Sequence, residues 1–95
     1  MRNQPLSQQE IAERVAVLAD WRVDDGKLRR TFRFDSFVAA FGWMAQVALV
    51  AEKLDHHPDW KNVYNRVEVE LSSHDIGALS DNDFRLAAEM TRLAG

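Results

Sequence analysis

The stretch that most constrains this chain runs from Ser36 to Ala51 without a charged residue. Asp35 or Ser36 is suited to cap a helix there. That helix is predicted to run to about Asp55 or His56, where Pro58 stops it, because the residue before a proline is pushed out of the helical region. Trp43, Val47, Val50 and Leu54 form one apolar stripe along it, and Phe37, Phe41, Met44 and Ala48 form a second. A helix with two apolar faces must cover both. In a chain of 95 residues the second face is either core within a monomer or an oligomer interface, and the interface is the preferred reading. The stretch is shorter than the ~20 residues of a membrane span and contains Gln46 and Gly42, so no membrane partner is expected.

The elements on either side make this helix the middle of one small domain, residues 1–95. Upstream, Ser7 with Glu10 forms a capping box, flanked by Leu6 and Ile11 as a hydrophobic staple. Ile11, Val15 and Leu18 then repeat at helical spacing. Trp21-Arg22-Val23 reads as a short strand, Asp24-Asp25-Gly26 as a turn, and Lys27 to Phe34 as a second strand whose alternation is broken at Arg30. Downstream, Asn62 to Ser72 reads as strand, with Val67, Val69 and Leu71 on one face and Arg66, Glu68 and Glu70 on the other. Ser80 caps the last helix with Asp83 as its reciprocal acid and Leu79 with Phe84 as its staple. Leu86, Met90 and Leu93 carry that helix onto the core. The pattern implies an α+β fold, an antiparallel sheet with helices on one face.

Composition narrows the chemistry. Net charge is −3 with no long basic run, which argues against nucleic-acid binding through phosphate contacts. The chain has no cysteine, hence no disulfide framework and no thiolate metal site. Met1-Arg2-Asn3-Gln4-Pro5 leads into a polar helix start without an apolar signal segment. A cytoplasmic protein is expected.

The chemistry-bearing residues gather just after the apolar stretch. Glu52-Lys53-Leu54-Asp55-His56-His57-Pro58-Asp59-Trp60 holds two of the three histidines, and His74 follows downstream. Histidine is the side chain that ordinarily exchanges its proton near neutral pH. Glu52 and His56 are spaced to share a helix face, so Glu52 is expected to orient His56. His56 and His57 should diverge at the proline-fixed exit. Trp60 and Tyr64 could form flat walls for a planar ligand. A histidine at a helix end is often only a cap. A zinc site of histidines and carboxylates is the other chemical reading, weakened by adjacent histidines and the lack of His-x-x-x-His spacing. No metal is assigned.

Beyond these physical readings, the residues themselves carry a likeness. Glu52-Lys53-Leu54-Asp55-His56-His57-Pro58, Trp60, Asn62-Val63-Tyr64-Asn65, His74, Leu79-Ser80 and Asp83 resemble the pterin-4a-carbinolamine dehydratases. Phe41-Gly42, Val47-Ala48-Leu49 and Leu18-Ala19-Asp20-Trp21 extend the resemblance over essentially the whole chain. The resemblance implies a hydro-lyase that dehydrates 4a-hydroxytetrahydrobiopterin to the quinonoid dihydropterin, recycling the cofactor of aromatic amino acid hydroxylases with no cofactor of its own. It makes His56, His57 and His74 the catalytic histidines, leaving acid and base undivided. It places Asp55, with the backbone and side chains of Ser72, Ser73 and Asp75, around the pterin, and Trp60 flanking the ring; Glu52 is counted with this site from its spacing to His56 alone. It implies homodimers or homotetramers, and a four-stranded antiparallel sheet with three helices on one side in the order α-β-β-α-β-β-α. The fourth strand must come from splitting the Asn62–Ser72 run near Asn65 or from the segment before Ser80. The alternative functions are a non-catalytic dimerisation module of the transcriptional-coactivator type and a role in molybdopterin metabolism.

Overall fold

The computed structural model describes residues 4–95; Met1–Asn3, part of the N-terminal reading above, lie outside it. Three helices and four strands follow one another as α1 (Gln8–Ala16), β1 (Arg22–Asp24), β2 (Lys27–Arg33), α2 (Phe37–Leu54), β3 (Asp59–Val63), β4 (Arg66–Leu71) and α3 (Asp81–Ala94). The strands form one antiparallel sheet in the order β1-β2-β4-β3. The α+β order expected from the sequence is therefore the observed one.

Each turn has a local cause. Asp25 and Gly26 both take positive φ, 55° and 71°. Two such residues between β1 and β2 make the tight hairpin whose twist suits its strands. The long downstream run splits at Tyr64-Asn65, the first of the two alternatives for a fourth strand. Tyr64 turns the chain at φ 52°. Asn65 secures the turn by donating its side-chain amide to the Phe34 carbonyl at 2.9 Å, while the Phe34 N–H donates to the Asn65 carbonyl at 2.8 Å. β3 starts at Asp59, earlier than the Asn62 start expected, because Asp59 and Trp60 already pair with Glu70 and Val69.

The sheet is two-faced. Leu28, Phe32, Val67, Val69 and Leu71 turn inward and are buried. Arg29 and Glu70, direct cross-strand partners, face outward and pair at 2.8 Å, with Lys27 adding a 3.3 Å contact to Glu70. Arg30, which broke the alternation, does point inward. Its guanidinium lies over the Phe32 ring at 4.1 Å and reaches the Ala19 carbonyl and Thr91 hydroxyl, each at 3.4 Å.

α2 lies across this core. Ala40, Trp43, Val47 and Ala51 are buried, so one of its predicted stripes packs inward. The Trp43 ring sits 4.4 Å from Phe32, and its indole N–H donates to the Met90 carbonyl of α3 at 3.0 Å. The other stripe divides: Phe37, Phe41 and Ala48 are exposed, whereas Met44 is half-buried against the core. Val38 and Leu49 add to the exposed apolar surface beside it. By length and composition α2 could cross a membrane, but its inner face is committed to the sheet. At the N-terminus the Ser7–Glu10 capping box is formed in both directions, and the Leu6 N–H donates to the Leu79 carbonyl at 3.0 Å, fastening the chain ahead of α1 to the approach to α3.

Two tests follow. Leu86 has 0% exposure, so Leu86→Ala should cost about 2–5 kcal/mol in urea unfolding, whereas Lys61→Ala on the outer face should stay within about 0.5 kcal/mol. The lysine and arginine beside Glu70 hold its carboxyl below the ordinary value of 4.5. A depressed carboxyl stabilises the fold above its unfolded value and loses that contribution as pH falls through the folded one. Glu70→Gln should therefore flatten the stability–pH curve below about pH 4.5 and leave its shape unchanged near neutrality.

Candidate functional site

The site begins where α2 ends. Asp55 adopts the left-handed conformation at φ 52°, ψ 44°, which aspartate tolerates better than most residues. The His56 N–H then donates to the Ala51 carbonyl at 3.0 Å and the Asp55 N–H to the Glu52 carbonyl at 3.2 Å. That pair of bonds is a Schellman closure. It stops the helix at Leu54, ahead of the proline that was expected to stop it, and Pro58 only directs the exit.

This closure corrects the pairing expected from spacing. His56 has left the helix, so it no longer shares a face with Glu52. Its ring turns inward and Nε2 meets Asp83 Oδ1 at 2.5 Å. His57 takes the partner assigned to its neighbour, with Nε2 at 2.8 Å from Glu52 Oε1. An ionised carboxylate only accepts, so each ring donates through Nε2. The two histidines do diverge: His56 is 7% exposed, while the His57 and Glu52 side chains are 59% and 80% exposed.

Asp83 is the residue that sequence reasoning missed as part of the site. It was read as the acid of a capping box, and one oxygen does that: Oδ2 accepts the Ser80 N–H at 2.9 Å. The same oxygen accepts the Ser73 hydroxyl at 2.8 Å, and Oδ1 takes His56. The Ser73 and Ser80 hydroxyl oxygens lie 2.6 Å apart. Asp83 and Ser73 have 0% exposure and Ser80 1%. A carboxylate this deep would be costly to hold unpaired, and here N–H and O–H donors converge on both oxygens. The available signal was the aspartate itself. Its side chain is shorter than the glutamate of the first box, and only one of its oxygens is occupied by the cap.

The remaining residues divide. Ser73 was placed beside the ligand by backbone and side chain; its hydroxyl points inward to Asp83. Its backbone anchors the next turn. Ser73 N–H donates to Ala78 O at 2.9 Å, and Ile76 and Gly77 N–H donate to Ser73 O at 3.2 and 2.9 Å. His74 and Asp75 stand exposed on this turn, and Ser72 is half-buried at its base. Asp55 is exposed at the helix end. Trp60 is half-buried on the core side of β3, its ring 6.1 Å from Trp43, so it serves the core as much as any ligand wall. Tyr64 does not join the cluster: it is exposed at the opposite end of β3 from Asp59. Among the described residues no group of three or more His, Asp or Glu side chains is arranged to hold a metal ion.

One buried carboxylate thus links the exit of α2, the turn carrying His74 and the start of α3. An oriented imidazole lies inside, with a solvent-reachable histidine–carboxylate pair and a third histidine outside. Such an arrangement can move protons to and from a bound molecule.

Comparison with known proteins bears on this geometry. Residues 4–93 match the family model of the pterin 4 alpha carbinolamine dehydratases. A protein of Jannaschia sp. (strain CCS1) named after that dehydratase is 55% identical over 87 residues, spanning 87% of this chain and 89% of the relative. A crystal structure from Brucella melitensis, described as a transcriptional coactivator/pterin dehydratase, superposes with a TM-score of 0.94 at 42% identity, covering 97% of this chain and 100% of the other. A pterin dehydratase-like protein described as a RuBisCO assembly factor in the alpha-carboxysome shares the fold, with a TM-score of 0.69 at 23% identity over 80% of this chain and 90% of its own.

Replacing Asp83 with alanine would strand the His56, Ser73 and Ser80 donors in the interior. We expect Asp83→Ala to lower the unfolding free energy by about 3–5 kcal/mol in urea titration, with Asp83→Asn intermediate because it keeps one acceptor oxygen.

Proposed function

The chain belongs to the pterin 4 alpha carbinolamine dehydratase family, and from that membership and the site geometry we infer that it is a hydro-lyase acting on a 4a-hydroxytetrahydropterin. In that reaction the C4a–O bond breaks, one proton reaches the departing hydroxyl and another leaves N5. Water and the quinonoid dihydropterin result. The enzyme has only to bind the pterin and carry two protons, and groups that titrate near neutral pH do this well.

The observation that carries this reading is the hydrogen-bonded path from His56 through Asp83 to Ser73, the residue preceding His74. It brings the third histidine's turn into one unit with the adjacent pair. His57, backed by Glu52, and His74 are the exposed proton carriers. His56 is held in a fixed orientation with a small part of its surface free. Asp55, Ser72, Asp75 and the open edge of Trp60 are the candidate pterin contacts around them.

We expect the wild type to accelerate dehydration of a synthetic 4a-hydroxytetrahydropterin in a stopped-flow assay. His57→Ala and His74→Ala should each lower the rate by about 10²-fold or more. A wild type no faster than buffer would end the proposal.

The exposed stripe of α2 supports a second part of the reading, self-association. Phe37, Val38, Phe41 and Gly42 line an apolar hollow of about 320 Å³, and Phe41 and Leu49 are 58% and 76% exposed. Contiguous apolar surface of this kind marks an interface. The occupant proposed is a second copy of this chain, as a dimer or tetramer. Sedimentation velocity should show an oligomer for the wild type and a monomer for Phe41→Glu. A monomeric wild type would instead leave the face to a different protein, as expected of a coactivator-like interaction module.

A further inference from the structure

The Ser73 hydroxyl is buried, touches no solvent, and is more than a filler of space. Asp83, as a carboxylate, only accepts, so Ser73 donates to Oδ2 across 2.8 Å. With its one proton spent there, Ser73 must accept the Ser80 hydroxyl proton across the 2.6 Å Oγ–Oγ contact. The bonds therefore run in one direction, from Ser80 through Ser73 to Asp83, and each polarises the next. The opposite oxygen of the same carboxylate accepts His56 Nε2–H. Ser73 is also the residue whose N–H and C=O close the turn that carries His74.

The geometry points to Ser73 as a positioning residue of the dehydration, acting through Asp83 on His56 and through its own backbone on His74. This inference rests on the dehydratase reading above for its kinetic consequence. Ser73 spends its hydroxyl within the buried network. It fixes where the Asp83 carboxylate sits and how much of that carboxylate's hydrogen-bonding capacity is left for His56. It simultaneously sets the base of the His74 turn against the same group. A cavity filler would need only a side chain of the right volume; a positioning donor needs its hydroxyl.

Ser73→Ala, Ser73→Thr and Ser80→Ala distinguish the two. The purified full chain is compared with the wild type by stopped-flow kinetics on 4a-hydroxytetrahydropterin, by thermal unfolding, and, without substrate, by NMR of the His56 Nε2–H resonance. We expect Ser73→Ala to lower kcat about tenfold with KM changed less than about twofold, as for small displacements of reacting groups. It should also move the His56 resonance in a variant that remains folded. Ser73→Thr, which keeps the hydroxyl, should restore most of kcat and return the resonance. Ser80→Ala should shift both in the same direction by less, since it removes only the outer donor.

A folded Ser73→Ala with unchanged kcat and an unmoved resonance overturns the inference. So does a Ser73→Thr as impaired as the alanine variant. Should Ser73→Ala fail to fold, Ser80→Ala decides alone, and an unchanged resonance there counts against the relay. If the wild type shows no turnover, the dehydratase reading fails and the resonance still reports whether Ser73 orients His56.

Discussion

The short contact between His56 and the fully buried Asp83 is the interaction on which the rest of this structure depends. Removing a carboxylate from water costs several kcal/mol even after the protein relaxes around it. Asp83 is held there because the Ser80 N–H, the Ser73 hydroxyl and His56 Nε2 all donate to it. Each donor comes from a different piece of chain: the start of α3, the turn after β4 and the exit of α2. None of the three can move independently without leaving a buried polar group unmet. The network thus acts as a fastening as well as a site. Its geometry requires α2 and α3 to be in fixed register, which the bond from Trp43 to the Met90 carbonyl helps to enforce farther along the two helices.

The adjacent histidines acquire different environments from one backbone event. With Asp55 in the left-handed conformation, the chain reverses its helical course over a single residue, and the Schellman bonds hold that reversal. Had α2 continued through His57, both rings would have stayed on the helix surface about 100° apart, and neither would have been driven inward. Instead one imidazole is interior and oriented while its neighbour is exposed and backed by the exposed Glu52. Pro58 then feeds the chain into β3, so the pair is bounded by a helix cap on one side and a sheet on the other.

Much of this architecture was legible in the residues. Both capping boxes, the Asp25-Gly26 turn, the alternation in β4 and the inner stripe of α2 each follow from local rules that tertiary contacts reinforce. The break in alternation at Arg30 was visible, but not its explanation, because the partners lie on Phe32, Ala19 and the distant Thr91. The histidines were legible as a group, whereas their partners were not. The expected Glu52–His56 pair assumed that helical spacing persists to His56, and a left-handed residue just before it cancels that assumption. Asp83 looked complete as a cap; that it is an aspartate where the first box has a glutamate was the one local hint, and its partner lies 27 positions away. Ser73 was placed around the ligand by the family resemblance, and the inward turn of its hydroxyl to Asp83 after β4 was not legible. Short-range rules thus located the elements and the cluster, while long-range packing chose the partners.

The exposed apolar residues of α2 and the histidine cluster lie toward opposite ends of one helix. Its inner face is used by the sheet, and its outer apolar residues Phe37, Val38 and Phe41 lie at the N-terminal end, while Glu52 and the histidines follow the C-terminal end. At 1.5 Å per residue, Phe41 and Leu54 are roughly 20 Å apart along the axis. A second copy seated over the N-terminal half can therefore leave the histidine end open to a small planar molecule. Leu49, exposed between the two regions, is the position where an interface would begin to approach the site.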